Sequence, residues 1–222
     1  MKWEKEHAPS YTLCKVLLNP GESVVFEPGA LVYYKGDVEV KTQAKGGILK
    51  GFLRALAGES LFLNTITAKT PAEVALAPPV PGDLEYIPLN NESYVLQKGA
   101  YLAHHGDVDV GIATMGLKGL VAEGGLVWLR ASGTGGIWVC AYGGLEKLEV
   151  PSGEKVVIDN FHFVAVPENV DWSVRKFGGW KSTILGGEGL VVEVRGPATV
   201  YVQSRILPPF AEVLSKYLPR KG

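Results

Sequence analysis

Gly21-Glu22-Ser23-Val24-Val25-Phe26-Glu27-Pro28-Gly29-Ala30-Leu31-Val32-Tyr33-Tyr34-Lys35-Gly36-Asp37-Val38-Glu39-Val40 is the stretch whose reading decides the fold. Seventy residues on, Asn91 to Val110 repeats it without a gap. Glu92, Ser93 and Val95 recur, Gly99 and Ala100 fall on Gly29 and Ala30, and Gly106-Asp107-Val108-Asp109-Val110 falls on Gly36 to Val40. A looser copy starts at Pro151-Ser152-Gly153-Glu154, runs through Val156, Val157 and Ile158 to Asn160, and places Glu168 where the others have Asp37 and Asp107. Self-similarity at a fixed spacing marks a repeated structural unit. The expectation is one domain of three pseudo-repeats, over residues 10–80, 81–145 and 146–205, followed by a C-terminal helix over 209–218.

Within a copy, Ser23 to Phe26 and Ala30 to Tyr34 read as strands separated by a Glu27-Pro28-Gly29 turn. The residues aligned at position 29 are Gly29, Gly99 and Asn160, types that tolerate positive φ, so that conformation is expected in all three. The next strand, Asp37 to Lys41, alternates charge with Val38 and Val40, which predicts one wet and one buried face. Each copy then closes with a strand pair: Leu61–Thr67 with Glu73–Leu76, Leu126–Ala131 with Gly136–Ala141, and Leu190–Arg195 with Ala198–Gln203. Lys69-Thr70-Pro71-Ala72, Ser132-Gly133-Thr134-Gly135 and Gly196-Pro197 read as their hairpin turns. Three such units stack, or close around a pseudo-threefold axis and so remove exposed sheet edges. The fold class is all-β: a threefold pseudo-repeated antiparallel sandwich or prism-like structure with a short connecting helix and a C-terminal helix.

Composition agrees. Of 222 residues, 46% are apolar, and 28 glycines and 14 prolines punctuate short Val, Leu and Tyr runs, the pattern of many short strands. A formal net charge of -1 provides no field for nucleic acid or anionic lipid. The charged start Met1-Lys2-Trp3-Glu4-Lys5-Glu6-His7 lacks the apolar run of a signal peptide, which points to the cytoplasm. Cys14 and Cys140 lie in apolar strand settings and read as buried free thiols.

Between the halves of each copy the connections are apolar and bracketed by glycines, where polar loops are usual. In the first, Ile48, Leu49, Phe52, Leu53 and Leu56 fall at helical spacing with Lys50 and Arg54 elsewhere on the wheel. The second holds Met115, Leu117, Leu120 and Val121, and the third Phe177, Trp180, Ile184 and Leu185. Such segments cap the open end of the β structure, form a subunit interface, or touch a protein or membrane partner. At the tail, Phe210, Val213, Leu214, Tyr217 and Leu218 repeat at helical spacing up to Pro219, predicting a helix packed by default on its own core.

The glycine-and-acid turns Gly36-Asp37-Val38-Glu39-Val40 and Gly106-Asp107-Val108-Asp109-Val110 combine with two further motifs. These are Gly58-Glu59-Ser60-Leu61-Phe62-Leu63 with its counterpart Gly187-Glu188-Gly189-Leu190-Val191-Val192, and Gly196-Pro197-Ala198-Thr199-Val200-Tyr201-Val202-Gln203-Ser204. Together, over most of residues 10–218, the chain resembles a family of uncharacterised proteins related to a mitochondrial biogenesis protein. That resemblance implies a fold like the trp RNA-binding attenuation protein and frequent assembly as a trimer. It implies no reaction and no catalytic residues.

His104-His105-Gly106-Asp107-Val108-Asp109 is the one cluster with metal-ligand chemistry. Adjacent strand residues point to opposite faces, so the two imidazoles do not converge, and a surface strand end is the expectation. His162, between Phe161 and Phe163, reads as a core or interface histidine. No nucleophile elbow and no phosphate-binding loop is present. Tyr33, Tyr34, Lys35, Lys41, Lys45, Lys50 and Arg54 are the elements an RNA site would use, but the second copy does not repeat them. The pairs Asp37/Glu39 and Asp107/Asp109 read as solubilising charge.

The sequence therefore predicts a non-enzymatic oligomeric binding or scaffold protein, a trimer or a multiple of one, with an unknown protein partner and no cofactor or metal. Its working surface is expected at Ile48, Leu49, Phe52, Leu53, Leu56, Met115, Leu120, Phe177 and Trp180. The alternatives are an RNA-binding protein and, more remotely, a metal-dependent cupin-like enzyme using His104 or His105.

Overall fold

A computed structural model describes residues 1–44, 62–113, 128–177 and 189–218. Its strands are β1 (Lys2–Glu6), β2 (Leu13–Leu18), β3 (Ser23–Phe26), β4 (Leu31–Lys35), β5 (Val38–Ala44), β6 (Phe62–Ala68) and β7 (Ala72–Leu76). Two long strands, β8 (Leu84–Gln97) and β9 (Tyr101–Ile112), meet at a 3₁₀ turn over Lys98–Ala100. β10 (Trp128–Cys140) follows, and then β11 (Leu145–Val150), β12 (Lys155–Asp159), β13 (Phe163–Pro167), β14 (Trp172–Lys176), β15 (Leu190–Arg195) and β16 (Ala198–Gln203). The helix α1 (Leu207–Ser215) comes last.

The strands form a four-stranded sheet in the order β1-β2-β7-β4, a nine-stranded sheet in the order β11-β16-β13-β8-β10-β9-β3-β6-β5, and a three-stranded sheet in the order β12-β15-β14. All ladders between these strands are antiparallel. Side-chain alternation explains the local choices: on β2, Cys14, Val16 and Leu18 face inward while Lys15 and Leu17 face out. One core cluster joins Val16, Val24, Phe26, Ile66, Val74 and Trp138. A second joins Leu63, Ile87, Leu96, Tyr101, Leu129 and Tyr201, and a third is built on Trp128, Phe163, Val192 and Val194. Each large side chain removed from water in this way contributes about 1.5–3 kcal/mol.

Several expectations are corrected. The closing strand pairs are not hairpins: β6 pairs with β3 and β5, whereas β7 pairs with β2 and β4. Likewise β15 pairs with β12 and β14, while β16 pairs with β11 and β13. The turn between the two strands carries the chain from one sheet to the next, so each strand buries its apolar face in a different place. In the second copy there is no turn at all, because Ser132-Gly133-Thr134-Gly135 lies inside β10, where only a register shift between Gly133 and Thr134 marks it. Side chains at Gly133 and Gly135 would collide with the backbone carbonyls of Asp107 and His105 on β9, so glycine keeps that strand continuous.

Positive φ at the aligned turn is found at Gly29 (89°) but not at Gly99 or Asn160. Gly99 sits in the 3₁₀ turn, and Asn160 accepts a hydrogen bond from the amide of Phe163 at 3.4 Å within its own turn. Val40 is 50% exposed rather than buried, because β5 is the last strand of its sheet. Its counterpart Val110, on the interior strand β9, is 1% exposed. Among the described residues the sheets do not close on one another, and β4 and β12 each end a sheet.

Candidate functional site

The structure places the expected working surface only in part. Ile48, Leu49, Phe52, Leu53, Leu56, Met115, Leu120 and Trp180 lie outside the described residues. Phe177 is described, just past β14, and is 41% exposed. The ladders locate the connections nevertheless. The first leaves and re-enters at the rung Ala44↔Phe62, the second just beyond Ile112↔Leu129, and the third just beyond Lys176↔Leu190.

Two described surfaces outside that expected working surface are also apolar. The helix α1 was expected to pack on its own core, yet none of its residues is buried. Leu207, Phe210, Val213 and Leu214 remain 43–51% exposed, and Tyr217 beyond its end is 83% exposed. The helix touches the body through Phe210, whose ring lies 5.9 Å from that of Tyr142. Beside its start is a groove of ≈ 320 Å³ lined by Val80, Tyr142, Phe161, Ile206 and Leu207. Pro208 and Pro209 stand in the first turn of the helix, which follows β16 after Ser204-Arg205-Ile206. The second surface is β4, where Leu31, Val32 and Tyr34 are 37%, 54% and 46% exposed.

His104 and His105 are not a strand end. They sit inside β9, with their side chains directed to different neighbours as strand geometry requires. His104 is 2% exposed, and its Nδ1 lies 2.7 Å from the Tyr101 hydroxyl. The His105 Nε2 lies 2.9 Å from the Tyr86 hydroxyl, with the two rings stacked at 5.8 Å and Trp138 alongside. Burial pushes the His105 imidazole below its ordinary value, so the neutral ring is favoured. Among the described residues, no group of three or more His, Cys, Asp or Glu side chains is placed to hold a metal ion. His162 lies in the turn before β13, its Nδ1 2.6 Å from the Gln203 carbonyl. Cys14 and Cys140 are free and buried; burial pushes the Cys14 thiol up to about 12 and the Cys140 thiol higher still. At neutral pH both thiols stay protonated, a poor state for a nucleophile. Glu27 is pushed up to about 7 by burial near Tyr101 and Cys140.

Among the described residues, the basic side chains of the first copy are paired with acids. Glu73 accepts hydrogen bonds from the Tyr33 hydroxyl at 2.7 Å and from Lys35 Nζ at 3.2 Å, and Lys41 pairs with Glu39 at 2.9 Å. Lys45, Lys50 and Arg54 lie outside the described residues. On the three-stranded sheet, Lys155, Arg175 and Arg195 converge on Glu193, which is 6% exposed. Hydrogen bonds, first from Lys155 and then from the two arginines, hold its carboxyl below the usual range. No helix among the described residues is long and apolar enough to cross a membrane.

Antiparallel sheets with exposed apolar side chains on β4 and α1 define, among the described residues, an all-β protein. The chain belongs to the mitochondrial biogenesis AIM24 family, whose pattern matches residues 3–205. It is 29% identical over 228 residues to an uncharacterised protein of Streptococcus pyogenes serotype M6, covering 99% of this chain and 92% of that one. An X-ray structure of a Streptococcus pyogenes protein is similar throughout, with a TM-score of 0.80 at 29% identity over 98% of this chain and 99% of the other.

Proposed function

We propose that the protein is a non-enzymatic, cytoplasmic, oligomeric binding or scaffold protein, assembled as a trimer or a multiple of one. The observation that carries this reading is the clustering of exposed large apolar side chains on β4 and on α1. Scattered surface apolar residues need no explanation, but contiguous ones mark interaction surfaces. The glycine-bracketed connections, with Phe52, Leu53, Met115, Leu120 and Trp180, are apolar in sequence as well. Neutralisation of Lys35 and Lys41 by Glu73 and Glu39 weighs against the RNA alternative.

A native mass spectrum of the untagged protein tests the reading. A trimer or its multiple is the expected result; a monomer overturns it. Replacing Phe52 and Leu53 together by serine should weaken assembly or partner binding while leaving the β circular-dichroism signal intact.

A further inference from the structure

The three copies treat one position differently. In Gly21-Glu22, Asn91-Glu92 and Gly153-Glu154, the residue before the glutamate lies in the left-handed region, with φ of 86°, 60° and 83°. Two of these are glycines, for which that conformation is free, whereas the second copy keeps a side chain there and carries the strain. Asn91 is also a bulge, since the ladder from β8 to β10 passes from Glu92↔Gly133 to Asn90↔Thr134 and skips it. Bulges re-aim side chains and gather beside functional sites. Asn91 stands in the wall of a polar cavity of ≈ 410 Å³, which is also lined by Glu92, Ser93, Tyr94, Glu168 and Asn169.

We infer that this cavity binds a neutral saccharide. Such a site goes beyond the oligomeric reading above and does not depend on it. One wall is held in place by Arg130, whose Nε donates to the two Glu168 carboxylate oxygens at 2.9 and 2.8 Å. Its Nη2 donates to Ser93 Oγ at 2.7 Å, and its Nη1 to Ser132 Oγ at 2.8 Å. The other wall is uncommitted. Among the described residues, the side chains of Asn91, Glu92 and Asn169 have no hydrogen-bond or ion-pair partner. By contrast Glu22, the counterpart of Glu92 in the first copy, accepts the Asn19 amide at 2.8 Å.

The set of donors and acceptors selects the ligand class. Amides donate and accept, carboxylates accept, and a serine hydroxyl does either, which together match the adjacent hydroxyls of a sugar. Tyr94 is the aromatic member of the lining, and an aromatic ring suits the C–H face of a pyranose. An anion is disfavoured, because two glutamates line the cavity and the guanidinium bonded to its wall is committed to one of them. Among the described residues, a metal ion finds no group of three ligands here. An apolar ligand would leave the amides and the Glu92 carboxylate desolvated without partners. A volume of ≈ 410 Å³ lies in the usual range of small-ligand sites.

Saturation-transfer NMR on the full chain with glucose, galactose, mannose and N-acetylglucosamine tests the site, with spermidine as a cationic competitor. At least one of these sugars should receive saturation from the parent protein, and spermidine should not displace it. Asn91→Gly restores the residue that the other two copies carry, so its circular dichroism should be unchanged while affinity for that sugar falls about tenfold or more. Glu92→Ala, at an exposed position, should weaken the same sugar by a similar factor. No saturation of any of these sugars overturns the inference, as does binding that both variants retain or that spermidine displaces.

Discussion

Gly29 and Gly106 separate two costs that a glycine substitution usually mixes. Their φ angles are nearly the same, 89° and 82°, so an alanine at either position meets the same left-handed strain, about 1–2 kcal/mol. Their surroundings differ. A Cβ at Gly29 meets nothing within 4 Å, while one at Gly106 would lie 2.6 Å from the Thr134 carbonyl oxygen and 2.8 Å from the Gly135 Cα. Both of those atoms are backbone in β10, which is held by ladders on both sides. Moving them disturbs the centre of the nine-stranded sheet, and overpacking of that kind adds about 1–3 kcal/mol. Loss of backbone freedom in the unfolded chain returns about 0.4–1 kcal/mol in each case. Gly29→Ala should therefore cost about 1 kcal/mol, and Gly106→Ala roughly 2–4 kcal/mol. For a chain of this length 1 kcal/mol moves Tm by about 2–4 °C. Differential scanning fluorimetry at one protein concentration should show Gly106→Ala melting well below Gly29→Ala. Equal melting temperatures, or the reverse order, would refute the argument that β9 and β10 approach this closely at Gly106.

The remaining predictions concern burial and titration. With the Cys14 thiol pushed up to about 12 and Cys140 buried at 1% exposure, the native protein should resist thiol reagents at pH 8 and react at both sites only in denaturant; native labelling would contradict the packing. Glu27 goes from its ordinary 4.5 to about 7 on folding. A carboxyl raised in this way contributes stability that is fully present below pH 4.5 and is lost as pH rises through about 7. Glu27→Gln should therefore match the parent near pH 4.5 and exceed it at pH 8 by about 1–2 kcal/mol in urea titrations; an unchanged pH profile would show that Glu27 ionises freely in the folded state. Deleting residues 207–222 removes a helix with no buried residue, so Tm should change by less than about 2 °C. A larger fall would mean that α1 does pack on the body.

How much of this was legible depended on how local the determinant is. Strands β3, β15 and β16 were readable within a residue, because alternation and turn chemistry act over neighbours. The free buried thiols were readable from their apolar flanks. Partner choice between strands was not, since Pro71 or Gly196-Pro197 ends a strand equally well in a hairpin and in a crossing between sheets. His104-His105 read as a surface strand end because adjacent strand residues point to opposite faces; long-range pairing of β9 with both β10 and β3 buries His104 instead. Val40 and Val110 share a motif but not an environment, for one strand ends a sheet and the other is interior.

By itself, the sequence determined an all-β chain, several of its strands and its likeness to a family, because period, composition and motif are properties of contiguous residues. Tertiary structure decided which sheet each strand joins, that no residue of α1 is buried, and that, among the described residues, β4 and β12 each end a sheet. Hydrogen-bonded neighbours in a sheet are set by the best simultaneous burial of many distant faces, and no single stretch of chain carries that information.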